Sequence, residues 1–198
     1  FIWHDYCDWY IELAKGRTDG EKGQAVRSVL WHVLESSLRL LHPIMPFITE
    51  EIWQRLPHQG NSILERDWVS QEDGFVDTAA VSEMELLQEV ITAVRTIRSE
   101  MNVPPGSKAD LYAAPSDDSV KRIIETNADF VHLLAKVGEL HFIDAENKPG
   151  ASGVAVIGAT ELFVPLEGLI DLDKERGKLG READKLRSLL VGIEKKLA

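Results

Sequence analysis

The sequence predicts a mainly α protein with a small α+β unit: a helical bundle, a sheet of three to four strands with helices, and a C-terminal coiled-coil helix. Apolar residues recur at helical spacing through roughly the first hundred residues, and short β-branched or aromatic runs follow Gly106. Leucines then repeat every seven residues near the C-terminus. The predicted domains are therefore residues 1–106, 107–168 and 169–198.

Two helices are predicted before the first proline. The first covers about residues 1–15, where aromatic and aliphatic residues follow a helical period, and it stops at Gly16. The polar stretch GRTDGEKG is predicted to be a loop. Beyond it, apolar residues from Val26 to Leu41 follow an i, i+3, i+4, i+7 stripe, which is the strongest helical pattern in the chain.

A proline joint separates the second helix from the third in the stretch LHPIMPFITEEIW. Pro43 ends the second helix because the residue before a proline is pushed out of the α region. Pro46 starts the third helix, since its fixed φ is already helical and its missing N–H costs nothing at the first position. This helix is predicted to run to about Leu56 and to pack a bundle with its apolar residues Phe47, Ile48, Ile52 and Trp53.

The second half of the chain changes its period. After a surface connection over residues 57–75, a fourth helix is predicted from about Thr78 to Met101, where NVPPG ends it. The runs KADLYAA, ELHFID, GVAVIGA and ELFVPL are predicted strands, the last two joined as a hairpin. Two helices lie between the first two strands, one capped by Ser116 and one following a break at Asn127.

The C-terminal stretch carries a heptad pattern. Its apolar positions fall seven residues apart, at Leu172, Leu179, Leu186 and Ile193. A single helix cannot bury such a seam, so the sequence predicts a coiled-coil arm that is disordered or that pairs, for instance with another copy of the chain.

Composition narrows the possible functions. The chain has 198 residues, is 44% hydrophobic and carries a net charge of −11. With one cysteine, Cys7, it forms no internal disulfide, and it has no apolar run of about eighteen residues for a membrane span. We therefore expect a cytoplasmic protein without a membrane segment. Because the sequence opens without Met or a secretory signal, we also expect a fragment of a longer chain.

Catalytic motifs are not found in the sequence. It contains no glycine-rich phosphate loop, no HExxH, no GxSxG and no paired cysteines, and its six histidines are scattered. We expect no catalytic residue, no metal site and no cofactor within these residues.

Basic residues are the better functional candidates, although an acidic chain argues at face value against nucleic acid. Cations outnumber anions locally in residues 15–39, 91–108 and 171–198. Arg95 and Arg98 are one helical turn apart and Lys108 follows the proline turn, which predicts a small cationic patch able to contact phosphates or base edges. The competing interpretation is that the two arginines pair with neighbouring carboxylates.

Three further candidates lie in or just after the first helix. Lys15 and Arg17 follow its C-terminal end, where they either bind nucleic acid or complement the helix dipole. Trp9 either stacks on an unpaired base or packs in the core, and helical spacing favours the core.

Several of these stretches resemble a known family. DYCDWYIELAKG, LHPIMPFITEEIWQRLP, Ser62 with Ile63, and Trp68 resemble in order and spacing the anticodon-binding helical bundle of the class I aminoacyl-tRNA synthetases for valine, isoleucine and leucine. ITAVRTIRSEMNVPPGSKADL and ELFVPLEGLIDLDKERGKLGREADKLRSLL are similar to the valine-specific enzymes in particular. The resemblance covers nearly the whole chain.

The resemblance implies the tRNA-recognition portion of an enzyme that joins valine to its tRNA with ATP and Mg²⁺, lacking the catalytic and editing domains. The bundle would contact the anticodon region, and the arm would lie against the outer corner of the tRNA. Two alternatives remain open: a fragment of an isoleucine- or leucine-specific synthetase, and a coiled-coil module for self-association.

Overall fold

The computed structural model describes residues 1–70, 76–169, 177, 180–181 and 183–190, with Glu21 and Lys22 described by their backbone alone. It divides into two compact units, Phe1–Val76 and Asp77–Ala198. The first unit contains a π-helix (Ile2–Tyr10), helices α1 (Ile11–Ala14), α2 (Gly20–Leu41) and α3 (Pro46–Trp53), and a 3₁₀ turn (Ile63–Glu65).

The second unit contains α4 (Thr78–Glu100), β1 (Ala109–Ala114), α5 (Asp118–Thr126), α6 (Ala128–Ala135), β2 (Val137–Phe142), β3 (Ser152–Ile157) and β4 (Thr160–Pro165). Residues 183–190 are also helical. The heptad positions Leu172, Leu179 and Ile193 lie outside the described residues, and so does most of the predicted arm.

The first predicted helix is helical but of a different type. Residues Ile2–Tyr10 form a π-helix whose wider turn begins with the amide of Tyr6 donating to Phe1 O at 3.3 Å. Tyr6 is buried, stacks on Tyr10 with ring centroids 6.3 Å apart, and donates its hydroxyl to Leu30 O at 2.8 Å. This aromatic side chain therefore ties the N-terminal helix to the middle of α2.

The proline joint has the predicted geometry, with Pro46 at the start of α3. Its N-cap residue, Met45, makes no side-chain capping bond, and the joint is held instead by Thr49, whose hydroxyl donates to Met45 O at 2.8 Å. The same oxygen lies 2.8 Å from His42 Nδ1, so it accepts from a protonated Nδ1. A three-part hydrogen-bond chain thus fixes the angle between α2 and α3.

The apolar face of α3 differs from its prediction. Trp53 is fully buried, in a cluster with Leu38 and Ile63, but Phe47 is 90% exposed. Ile48 is also exposed. The expected bundle packing is therefore right for Trp53 and wrong for Phe47, Ile48 and Ile52, the last of which is 36% exposed.

A buried carboxylate holds the core of the first unit. Glu35 is 2% exposed and accepts two bonds from Arg39, Nε at 3.0 Å and a second guanidinium nitrogen at 2.9 Å. Its other oxygen lies 3.4 Å from Trp53 Nε1 and 3.6 Å from Arg66 Nε. These partners satisfy the charge, which is the condition for burying it.

Glu50 fastens the segment after α3 to the helix. Its carboxylate accepts from Ser62 Oγ at 3.0 Å and from the amide of Ile63 at 3.2 Å. The hydrogen bond from Gln54, together with those from Ser62 and Ile63, lowers the pKa of Glu50 although burial opposes the shift. The Ser-Ile pair therefore brings the chain back to α3 and places the Ile63 side chain in the core.

The second unit is built on a mixed four-stranded sheet with the order β2-β1-β4-β3. β1 pairs with β2 in parallel and with β4 antiparallel, and β3 and β4 form the predicted hairpin across Gly158. The break between α5 and α6 falls at Asn127 as predicted. The cap of α5 is not Ser116 but Asp117, whose carboxylate accepts from the amides of Ser119 and Val120.

The structure places α4 with the sheet rather than with the helical bundle. Its buried face, which includes Leu87, Ile91, Val94 and Ile97, packs on α6, β3 and β4. The predicted boundary at residue 106 thus differs from the division observed at Val76. A helical period identifies the buried face of a helix but not the element that covers it.

Close approach of α4 to β3 depends on Gly153. A Cβ at this position would overlap the Cγ2 atom of Ile97, a buried residue of α4. We expect Gly153→Ala to destabilise the protein by about 1–3 kcal/mol, since overpacking forces side chains off their rotamers. Urea unfolding followed by circular dichroism measures the change.

Gly106→Ala is the matched control, because a Cβ there meets nothing within 4 Å. It should change the free energy of unfolding by no more than about 0.5 kcal/mol. Equal stability of the two variants would show that α4 does not press on β3.

Candidate nucleic-acid interface

The candidates of the first unit are Trp9, Lys15 and Arg17. Trp9 is half-buried in the π-helix, and Lys15 forms an ion pair with Glu12 at 2.5 Å. Arg17 is exposed and lies near Tyr10, whose pKa burial raises and Arg17 partly lowers. Lys15 and Arg17 follow the C-terminal end of α1, as predicted from the sequence.

Arg98 is an internal residue. Only 7% of it is exposed, and its guanidinium donates to Ser107 O at 2.7 Å, Pro104 O at 3.3 Å and Lys136 O at 3.5 Å. Burial lowers the pKa of this group. Because backbone carbonyls accept from its two terminal nitrogens, the structure favours a structural role for Arg98 over the predicted contact with phosphates or base edges.

Arg95 lies on the exposed side of the same helix, with its Nε donating to Leu134 O at 2.9 Å. This bond brings the guanidinium of Arg95 to the end of α6, beside the exposed Lys136. Arg95, Arg98 and Lys136 line one cleft of about 470 Å³. We call it the cationic cleft; the other lining residues are Ser99, Asn102, Val103, Pro104, Pro105, Leu134 and Ala135.

Lys108 belongs to the same corner of the unit. The amide of the next residue, Ala109, donates to Lys136 O at 3.2 Å, and a Cβ on Gly138 would lie 3.6 Å from Lys108 Cβ. The start of the β1–β2 ladder therefore places Lys108 near Lys136, while Lys108 does not line the cleft with Arg95 and Arg98. Asp110 and Glu139 follow on these strands, and the Glu139 amide donates to Asp110 Oδ1 at 2.8 Å.

Sequence reasoning missed Lys136. It lies 38 residues from Arg98 in the chain, and the two regions are joined by the packing of α4 against α6. Its one local signal is its place directly after the last helical residue of α6, where cations complement a helix dipole.

Metal and membrane sites are not found in the part of the chain that the structure describes. No group of three His, Cys, Asp or Glu side chains there is arranged to hold a metal ion. No helix among those residues is both long and apolar enough to span a membrane.

Comparison with known proteins decides the family. Residues 1–113 match the anticodon-binding domain of tRNA ligase. The chain belongs to this tRNA ligase family. All of it aligns with the valine–tRNA ligases of Bacillus subtilis (strain 168), at 43% identity over 203 residues, and Geobacillus kaustophilus (strain HTA426), at 42% over 202 residues. It spans 23% of the length of each of these relatives.

The anticodon-binding domain match extends past the first unit through α4 and most of β1. It therefore includes Trp9, Lys15, Arg17, Arg95 and Lys108, but not Lys136. The relatives align beyond that match, over 100% of the chain, so the cationic cleft lies within the region shared with the valine–tRNA ligases.

The internal role of Arg98 makes a stability prediction. Arg98→Ala should lower the free energy of unfolding by about 2–4 kcal/mol, because three carbonyls are left without their charged donor. Arg95→Ala should change it only slightly, since Arg95 is exposed. Guanidinium chloride titrations of both variants measure the difference; equal stabilities would show that Arg98 acts as a surface residue.

Proposed function

We propose that this chain is the tRNA-recognition part of a valine–tRNA ligase, an enzyme that attaches valine to its tRNA with ATP. The alignment of this whole chain with part of the valine–tRNA ligases is the observation that carries the proposal. The anticodon-binding family match supports RNA recognition, rather than chemistry, as the role of this part of the enzyme. A cytoplasmic location follows from the role in protein synthesis.

The chain's own residues bind and orient RNA in this proposal. We assign ATP, Mg²⁺ and the transfer of valine to parts of the ligase outside these 198 residues, since the sequence contains no glycine-rich phosphate loop. The valine enzymes are favoured over the isoleucine and leucine enzymes because the relatives that align over the whole chain are valine–tRNA ligases.

Anticodon recognition is tested by titrating the 198-residue chain into fluorescent tRNA transcripts. We expect a valine tRNA to bind more tightly than the same transcript with its anticodon exchanged, by about 1–3 kcal/mol for each base that the protein reads directly. Binding should weaken linearly in a double-logarithmic plot against salt, since phosphate binding releases counterions. Equal affinity for both transcripts would contradict the proposal.

Self-association is a second candidate function. Leu186, Leu189 and Leu190 are each more than half exposed on the helical residues 183–190. An apolar strip of this kind is covered in a coiled coil by a partner helix. We expect sedimentation equilibrium to show dimers that Leu186→Glu with Leu190→Glu abolishes; a monomer at high concentration would remove this candidate.

A further inference from the structure

We propose that the cationic cleft binds a phosphodiester of the RNA backbone through Arg95 and Lys136, with Arg98 as a positioning residue and Lys108 outside the cleft at the start of β1. The proposal rests on the proposed function and deepens it. It names the chemical group that is bound, adds a residue in the part of the chain that follows the family match, and gives Arg98 a supporting role in place of direct contact with RNA.

The cationic cleft and a cavity near the other end of β1 and β2 are lined by opposite charges. Among the described residues, three cationic side chains and no carboxylate line the cationic cleft, in a chain of net charge −11. Near the other end of β1 and β2, a cavity of about 410 Å³ is lined by Asp117, Asp118 and Asp144, with Lys121. The lining of the cleft therefore favours a polyanion and that of the other cavity does not, while Asp110 and Glu139 lie outside the cleft at the starts of β1 and β2.

Helix ends would normally make this corner negative. α4 and α6 both end here, at Glu100 and Ala135, and the last carbonyls of a helix carry partial negative charge. Arg95 donates to Leu134 O in the last turn of α6, and Arg98 donates to the O atom of its C-cap residue, Lys136. These two guanidinium groups offset the partial negative charge at the end of α6, where the Lys136 side chain is exposed.

Lys136 adopts a backbone conformation that is unfavourable for a residue with a side chain. It caps α6 in the left-handed region, with φ of 55° and ψ of 41°, a position that glycine usually occupies. A side chain in this conformation is strained, and strain of this kind concentrates at functional sites. The lysine side chain thus has a use that glycine does not supply.

The walls of the cleft fit a backbone phosphate better than a base. No aromatic ring is among its lining residues, so it offers no stacking surface, and Pro104 and Pro105 are exposed at its edge. Lysine binds phosphate as a point charge, and the arginine adds directed donors. Phosphate binding of this type is independent of base sequence.

Lys136→Gly separates binding from stability. Glycine relieves the left-handed strain, so we expect a melting temperature at least as high as that of the parent chain. Affinity for the valine tRNA transcript should fall about five-fold, the equivalent of one charge pair at 4 Å in water. The slope of log affinity against log salt concentration should become shallower by about one. The transcript with an exchanged anticodon should lose affinity for Lys136→Gly, relative to the parent chain, by the same factor as the valine tRNA transcript.

Two control variants accompany it. Lys121→Ala makes the same change of charge near the opposite end of the sheet, where Lys121 Nζ lies 5.5 Å from the Phe142 ring centroid, and it should leave binding unchanged. Lys136→Arg keeps the charge and should bind like the parent chain.

The outcomes are distinguishable. If Lys136→Gly leaves tRNA affinity unchanged, or if Lys121→Ala lowers it equally, the cleft is not the phosphodiester site. The proposed function is then unaffected. If Lys136→Gly no longer distinguishes the two anticodons, Lys136 contacts a base, and the proposal that it binds a backbone phosphodiester is wrong. Inorganic phosphate that binds the cleft without displacing RNA, measured by ³¹P NMR, also overturns it, whereas a parent chain that binds no tRNA removes both proposals.

Discussion

The buried guanidinium of Arg98 is the constraint on which the second unit depends. It connects the last turn of α4 to the proline turn, through Pro104 and Ser107, and to the first residue after α6, through Lys136. Since Lys136 O also accepts from the Ala109 amide, this connection sets where β1 and β2 begin to pair. A lysine would not replace it, because a planar group with five donors is needed to serve several carbonyls at once.

The first unit is organised by the opposite charge. Glu35 is buried beside Trp53; its Oε2 accepts from two guanidinium nitrogens of Arg39, and its Oε1 lies at a longer distance from Arg66. Arg39 in turn donates to Asp67 O at 2.6 Å, so the segment after the 3₁₀ turn is fixed to α2. In both units one satisfied buried charge fixes a loop to a helix, and the apolar core alone does not specify that connection.

Helices that are set by residues close in the sequence could be predicted, whereas features that depend on contacts between distant residues could not. The start of α3 at Pro46 and the break between α5 and α6 at Asn127 could be predicted, because each depends only on residues a few positions away. The π-helix was not predictable, since it depends on Tyr6 reaching α2. The burial of Arg98 left one overlooked signal: Leu87, Ile91, Val94 and Arg98 share a helical stripe, so the period already put Arg98 on the buried face. The place of Lys136 in the cleft could not be predicted, because it depends on contacts between distant parts of the chain.

Net charge is a poor guide to what such a protein binds. At physiological ionic strength the Debye length is about 8 Å, so a phosphate in the cleft interacts chiefly with the nearest charges. β2 has six residues at about 3.3 Å each, which makes it longer than that screening distance. The aspartates near the far end of the sheet are therefore screened from the cleft. Under the proposed function, these aspartates disfavour RNA at their end of the sheet, so that the acidic composition is compatible with RNA binding at the cleft.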